Sequence, residues 1–370
     1  MAAGSTIGNI FKITTWGESH GKAIGVVVDG CPAGLPLSEE DIQVFLDRRK
    51  PGQSKFTTQR KEEDKVEILS GVFEGKTTGT PISMMIRNKD QRSKDYGNIS
   101  EMYRPGHADY TFDEKFGFRD YRGGGRSSGR ETAARVAAGA VAVKVLKELG
   151  IELFAYTKSI GEITCQDHAF DREYISQNRL FMPDRDTFVK AEKYLDTLME
   201  NQDSAGGVVE CQIHGMPVGV GEPVFDKLSA RLAGAVSSIG AVKGFEIGEG
   251  FRSSVMKGSD HNDSFYYDEE GNLFKKTNHA GGILGGMSDG SPVIIRAAFK
   301  PTPSIGQVQK TVNNSGENIE AVIHGRHDPI VVPRAVVVVE AMTAVTVLDL
   351  LLTSMTSRMD FVKEFFNQKR

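Results

Sequence analysis

Between Ala335 and Leu352 the sequence reads AVVVVEAMTAVTVLDLLL, apolar almost throughout and about as long as a bilayer is thick. Two acids decide what such a stretch can be. Glu340 lies near its middle and Asp349 near its end, and an acid at the centre of a membrane span costs about 2.5–3.5 kcal/mol. The stretch is therefore read as a helix buried inside a globular protein, and the remaining chain has to supply the layers that cover it. At 370 residues the length predicts two domains of roughly 150 residues, or one elaborate α/β domain.

A second long helix is predicted over Glu131–Leu149, with Gly150 at its C-cap. Its Ala133, Ala134, Ala137, Ala138, Gly139 and Ala140 fill no core by bulk, so a neighbouring helix must pack very close. Ser38 opens a capping box with Asp41 where Glu is usual, and Ile42, Phe45 and Leu46 form one face before Pro51-Gly52 stops the helix. Further helices are expected at Asp184–Asn201, Pro223–Val236 and Arg334–Leu352. Strands are expected at Ala23–Asp29, Val66–Leu69, Ile82–Ile86, Val208–His214, Gly244–Ile247 and Pro292–Ala298. The elements interleave without the steady rhythm of a doubly wound sheet, so pattern alone gives a mixed α and β protein. No linker, low-complexity tract or repeat stands out.

Charge narrows the function. Lys and Arg number 45 against 49 Asp and Glu, a net charge of −4, which argues against a nucleic-acid binder or a membrane-surface binder. Cys31, Cys165 and Cys211 are too few and too scattered for a disulfide framework or a thiolate zinc site, and no metal motif appears, so no metal is expected. A reducing cytoplasm fits, and no signal or transit segment is recognised at the N-terminus.

Positive charge is concentrated in three segments. Tyr121–Thr132, YRGGGRSSGRET, combines exposed backbone N–H groups, Arg122, Arg126 and Arg130, the hydroxyls of Ser127 and Ser128 and a following helix N-terminus, which together make an anion site but not a P-loop. Arg48–Arg60 and His324–Arg334 are the other two. Arginines converging from these segments would grip a small polyanion with bidentate forks. Ser19 and His20 stand between glycines, and adjacent side chains are expected to point apart, so they are not read as a nucleophile and base pair. His107 occupies a second glycine-bearing turn, and histidine suits proton exchange near neutrality. The residues alone describe an enzyme acting on a small phosphorylated anion.

The motifs GESHGKAIGVVVDGCP, GRSSGRETAARVAAGAVA and RHDP with EAM following resemble the three signature regions of the chorismate synthase family, in order and spacing. DRRKPGQSKFTTQR, TGTPI, RPGHADYT, NHAGGILGGMSDG and KPTPSI resemble its other segments, so the resemblance spans nearly the whole chain. Ile330, after RHDP, departs from the small residue or Cys usual there. The resemblance implies an α+β fold, a β-α-β sandwich with internal pseudo-duplication in which a helical core lies between two antiparallel sheets. It implies one domain over residues 1–370 whose two halves meet at an unknown boundary.

The implied reaction is 1,4-elimination of phosphate from 5-enolpyruvylshikimate 3-phosphate (EPSP) to give chorismate, dependent on reduced FMN without net redox change. His20 is implied as the acid protonating the leaving phosphate and His107 as the residue protonating or stabilising the reduced flavin. Asp328, Ser19 and Ser128 are implied as a proton relay near the flavin, and Arg49, Lys55, Arg130 and Arg334 as substrate contacts. Implied flavin contacts are Arg126, Ser127, Ser128, Ala241, Gly285, Lys300, Pro301, Thr302, Pro303, Ser304 and Arg326. Also implied are a homotetramer, a flavoprotein linked to NADPH, and reduced FMN from a separate flavin reductase, with no nucleic acid and no membrane. Two rivals remain: a flavin-independent phosphatase or phosphotransferase with His20 as nucleophile, and a nucleotide-binding or RNA-binding module. The single Trp and the net acidity weigh against the second.

Overall fold

The computed structural model describes residues 4–56, 62–89, 100–121, 123–323 and 328–368. The first half of the chain builds one five-stranded sheet from β1 (Thr6–Ile7), β2 (Lys12–Gly17), β3 (Ala23–Asp29), β4 (Val66–Ile68) and β5 (Ile82–Arg87), in the order β1-β2-β3-β5-β4. The second half builds another from β6 (Glu152–Ile160), β7 (Ile163–Thr164), β8 (Gly207–His214), β9 (Val242–Ile247) and β10 (Val293–Phe299), in the order β9-β10-β8-β6-β7. Every pairing is antiparallel. The helices are α1 (Glu39–Arg49), α2 (Asp109–Phe116), α3 (Thr132–Glu148), α4 (Arg185–Glu200), α5 (Leu228–Ser237), α6 (Val332–Ser354) and α7 (Met359–Asn367), besides a single turn at Gly258–His261.

The implied duplication is visible in the connectivity. The first half runs β2-β3-α1-β4-β5-α3 and the second β6-β8-α5-β9-β10-α6, each a ββαββα unit. Numbered within each unit, both sheets place the four strands in the order 1-2-4-3. The units meet at Leu149–Ile151, where α3 ends in a Schellman motif. Gly150 has φ +74°, its N–H donates to the Lys147 carbonyl, and the Ile151 N–H donates to that of Leu146. Gly150 thus sits one residue beyond the cap.

Helices α1 and α3 lie against the first sheet and α5 and α6 against the second, and α3 crosses α6 in the middle. The approach is as close as the small residues require. A Cβ added to Gly139 would stand 2.3 Å from Ala341 Cβ and 2.5 Å from its Cα. Both acids of α6 are buried and paired. Glu340 takes both prongs of Arg48 at 2.8 Å and the Ala155 N–H at 3.2 Å. Asp349 accepts the N–H groups of Asn9, Ile10 and Phe11 at 2.7–3.1 Å and the Arg231 guanidinium at 3.0 Å. Helix α6 is long and apolar enough to cross a membrane, yet it lies in the molecular core.

The capping box at Ser38 forms as expected: Asp41 accepts the Ser38 N–H at 2.8 Å while the Ser38 hydroxyl accepts the Asp41 N–H. Helix α5 starts at Leu228 rather than Pro223, because Val224 and Phe225 point into solvent and the buried face is Leu228, Leu232 and Ala235. Strands β2 and β6 escaped the sequence reading because polar residues, such as Lys12, Thr14 and Thr15 in β2 and Glu152, Thr157 and Lys158 in β6, break the apolar runs. The three cysteines are free and buried, and burial pushes the thiols up, to about 11 for Cys31 and about 12 for Cys165.

The crossing gives a test of packing against propensity. Alanine is favoured over glycine by about 1 kcal/mol inside a helix, whereas forcing a methyl into a filled core costs about 1–3 kcal/mol. Gly139→Ala is expected to lower stability in denaturant unfolding by roughly 1–2 kcal/mol, and a stabilised variant would show that the helices separate freely.

Candidate active site

The arginine segments do converge, and a residue the sequence reading passed over organises them. Arg49, at the end of α1, is 1% exposed and donates through Nε and Nη2 to Asp64 Oδ2, and through Nη1 to the Gly129 carbonyl and the Thr132 hydroxyl. Arg130 donates to the other oxygen of Asp64. Arg334, at the start of α6, donates through Nε to the Arg49 carbonyl at 3.2 Å and through Nη1 to Asp328 at 2.8 Å. Three cations thus gather around two carboxylates, with Glu62 3.7 Å from Arg130. Burial drives the Arg49 pKa down to about 10, helped by Arg334 and Arg130 and opposed by Asp64. Burial alone would raise the Asp64 carboxyl, but Arg49 and Arg130 overcome it and hold it below the ordinary range. Asp64 has φ +50°, a left-handed backbone that Asp tolerates better than most residues. In sequence it is one of three consecutive acids, Glu62-Glu63-Asp64, just beyond the basic Arg48–Arg60 segment.

His20 lies under the glycine-rich loop. A Cβ on Gly123 would stand 2.1 Å from His20 Cε1, and Gly123 has φ +88°, so the imidazole occupies the space a side chain would need. Ser19 and His20 do not point apart as expected, since Ser19 Oγ is 3.1 Å from His20 Nδ1. The tight turn bends the backbone enough to bring the neighbours together. The Ser19 hydroxyl also lies within hydrogen-bond distance of the Gly123 carbonyl, at 3.2 Å. Arg126 fastens the loop to β2 through Thr15 Oγ1 at 2.7 Å and the Gly17 carbonyl, and Ser128 caps the turn by accepting the Arg130 N–H. Ser127 bonds the Gly124 carbonyl. A cleft of about 500 Å³ opens beside this turn, lined by Trp16, Glu18, Lys22, Met85, Arg87 and Arg126, and the three converging arginines do not line it.

His107 docks on the second half of the chain. Its Nδ1 donates to the Pro105 carbonyl at 3.1 Å, which leaves Nε2 to accept the Ser304 hydroxyl at 2.9 Å. Lys300 donates to the Gly106 carbonyl at 2.6 Å, and a Cβ on Gly106 would meet Pro303 at 2.8 Å. Burial, reinforced by Arg104, pulls the His107 pKa down to about 4, so the ring is neutral at pH 7. Ser204 Oγ donates to the Thr302 carbonyl and the Ala205 N–H to that of Pro329, so the His107 dock and the Asp328–Arg334 pair are joined through adjacent residues. Ile330 is fully buried and pairs its backbone with Ala205.

Other implied residues stand apart. Lys55 pairs with Asp196 on α4, half exposed, instead of entering the arginine cluster. Gly285 is at the tip of the Ile283–Ser288 hairpin, which packs on the start of α5. Ala241 has φ +73° and its carbonyl accepts the Lys300 N–H. Pro301 follows Lys300 on the same segment. Arg326 and Arg122 lie outside the described residues.

A two-sheet sandwich of duplicated ββαββα units, with buried and half-buried arginines gathered beside two histidine turns, defines an enzyme for a small polyanionic substrate. The chorismate synthase family model matches residues 11–352. Chorismate synthases of Lachnoclostridium phytofermentans and Agathobacter rectalis are 66% and 64% identical, each over 99% of this chain and 100% of the relative. The Synechocystis enzyme is 54% identical over 94% of this chain and 97% of its own. A crystal structure of chorismate synthase superposes with a TM-score of 0.77 at 33% identity, covering 97% of both chains. The chain belongs to the chorismate synthase family, whose members are lyases of the shikimate pathway.

Two outcomes check this geometry. Gly123→Ala should lower turnover at least 100-fold while circular dichroism stays unchanged, because the methyl displaces His20, and near-normal turnover would contradict the contact. The His107 ring in the unfolded chain binds a proton near its ordinary 6.5 but in the folded chain only near 4. Its contribution to stability is present above about 6.5 and is lost as pH falls towards 4. Nitrogen-15 NMR should show His107 neutral with Nδ1 protonated at pH 5.5, and titration near 6.5 would overturn the assignment.

Proposed function

We propose that the chain eliminates phosphate from EPSP with reduced FMN bound against the Lys300–Ser304 segment. The observation that carries the reading is the convergence of Arg49, Arg130 and Arg334 from three distant segments beside the His20 turn. That arrangement suits one phosphate and two carboxylates, and buried donors act strongly where water is excluded. Arg130 and Arg334 grip the substrate, while Arg49, held by Asp64, charges the floor beneath them. His20 gives a proton to the departing phosphate oxygen, the usual work of a general acid. Asp328, fixed by Arg334, acts with Ser19 and Ser128 in carrying away the C6 proton.

The residues fit the cofactor. Thr302 Oγ1 is buried with no hydrogen-bond partner among the described residues, and a ligand oxygen would satisfy it. Ala241 is held in a conformation an alanine disfavours beside the same segment. Reduced FMN, when bound, supplies an electron-rich ring that stabilises electron deficiency as the C–O bond breaks. His107, neutral and fixed by Pro105, holds the Ser304 hydroxyl by accepting its proton at Nε2 and so steadies this segment. The same reading includes a cytoplasmic homotetramer fed by a separate flavin reductase.

Anaerobic phosphate release from EPSP tests the function. It is expected with reduced FMN and absent with oxidised FMN or none, and flavin-independent release would favour the phosphatase alternative. His20→Ala should reduce turnover by about 10² to 10⁴-fold, as loss of one general acid does, and recover partly at low pH. Unimpaired turnover would remove His20 from the mechanism.

A further inference from the structure

Between the His20 turn and the arginine cluster stands Asn88, at the end of β5. Its Nδ2 donates to the Glu18 carbonyl at 2.9 Å and the Gly21 carbonyl at 2.8 Å, which bracket Ser19 and His20. Its Oδ1 accepts Arg130 Nε at 2.9 Å. The amide orientation is fixed by chemistry: carbonyls only accept and a guanidinium only donates, so a flipped amide would lose all three bonds. The Asn88 N–H also donates to the Lys22 carbonyl at 3.2 Å, which holds the side chain's own base against the same turn.

Arg130 has five N–H donors. Asn88 takes the one on Nε, Asp64 one on Nη1 and the Arg87 carbonyl one on Nη2 at 3.3 Å. The other two have no hydrogen-bond partner among the described residues, although Glu62 stands 3.7 Å from Nη2, and an anion would have to share that prong with it. The same side chain that aims this fork also fixes the turn carrying His20, so the spacing of the two groups is set by one rigid amide.

We propose that Asn88 is the positioning residue that registers the proton-donating histidine against the substrate-gripping arginine. It touches neither substrate nor reacting atoms and acts through His20 and Arg130. The proposal rests on the roles given to those two residues above. Positioning errors of this kind cost rate steeply, because productive geometry is held to a fraction of an ångström.

Asn88→Asp separates the two links. A carboxylate still accepts from Arg130 but has no donor for the Glu18 and Gly21 carbonyls, so the turn is released while the fork is kept. With reduced FMN under anaerobic conditions, Asn88→Asp is expected to lower kcat about 10- to 100-fold with KM for EPSP within about 3-fold. Asn88→Ala frees both links and should also raise KM. The deciding measurement is a cycle with His20→Ala: in that background either Asn88 change should reduce kcat by less than about 3-fold, because the turn no longer carries an acid to position. An equal loss in both backgrounds would show that Asn88 only stabilises the fold and would overturn the proposal, and Asn88→Ala serves if Asn88→Asp fails to fold. Wild-type turnover in His20→Ala alone would instead sink the assignment of the acid, a result distinct from additivity.

Discussion

Everything in this molecule hangs on a helix that is too apolar to be anywhere but inside and too charged to be inside alone. Helix α6 carries Glu340 and Asp349 into the core, and each is answered from elements of the duplicated units. Glu340 is held by Arg48 of α1 and the backbone of β6, Asp349 by the backbone ahead of β2 and by Arg231 of α5. Removing one partner from such a buried pair typically costs about 3–5 kcal/mol, because the other charge is left uncompensated. The two acids therefore fix how the first half seats on the second.

That seating builds the site. Arg49 and Arg130 come from the first half and Arg334 and Asp328 from the second, and His107 of the first half closes on Ser304 and Lys300 of the second. No half holds a complete set. The electrostatics follow: burial, reinforced by Arg334 and Arg130, depresses Arg49, and Asp64, Asp328 and the more distant Glu62 answer the three guanidinium charges, whose remaining N–H donors suit an anion.

Much of this was legible because it is written in local chemistry. The Ser38–Asp41 capping box, the small-residue face of α3, the alternation of β3 and β5 and the two acids in α6 each carry their structural meaning within a few residues. The convergence of the basic segments was legible from charge balance alone. What escaped depends on distant partners. Asp64 and Asn88 matter only through the groups that meet them across space, and a short polar residue next to a strand looks the same whether it faces water or an arginine. The Ser19–His20 contact escaped because adjacent side chains were expected to diverge in extended and turning backbone alike, whereas the turn here brings the two together. The family resemblance named flavin residues that spacing never indicated, and Lys55, which it also named, pairs with Asp196 in this structure.

The contact between Gly139 and Ala341 has a mechanical consequence. Hinge and shear motions need side chains that can slide past or interdigitate anew, and here backbone meets backbone with no room for even a methyl group. Sliding α3 along α6 would therefore drive backbone into backbone at this crossing, and the contact resists shear between the duplicated halves.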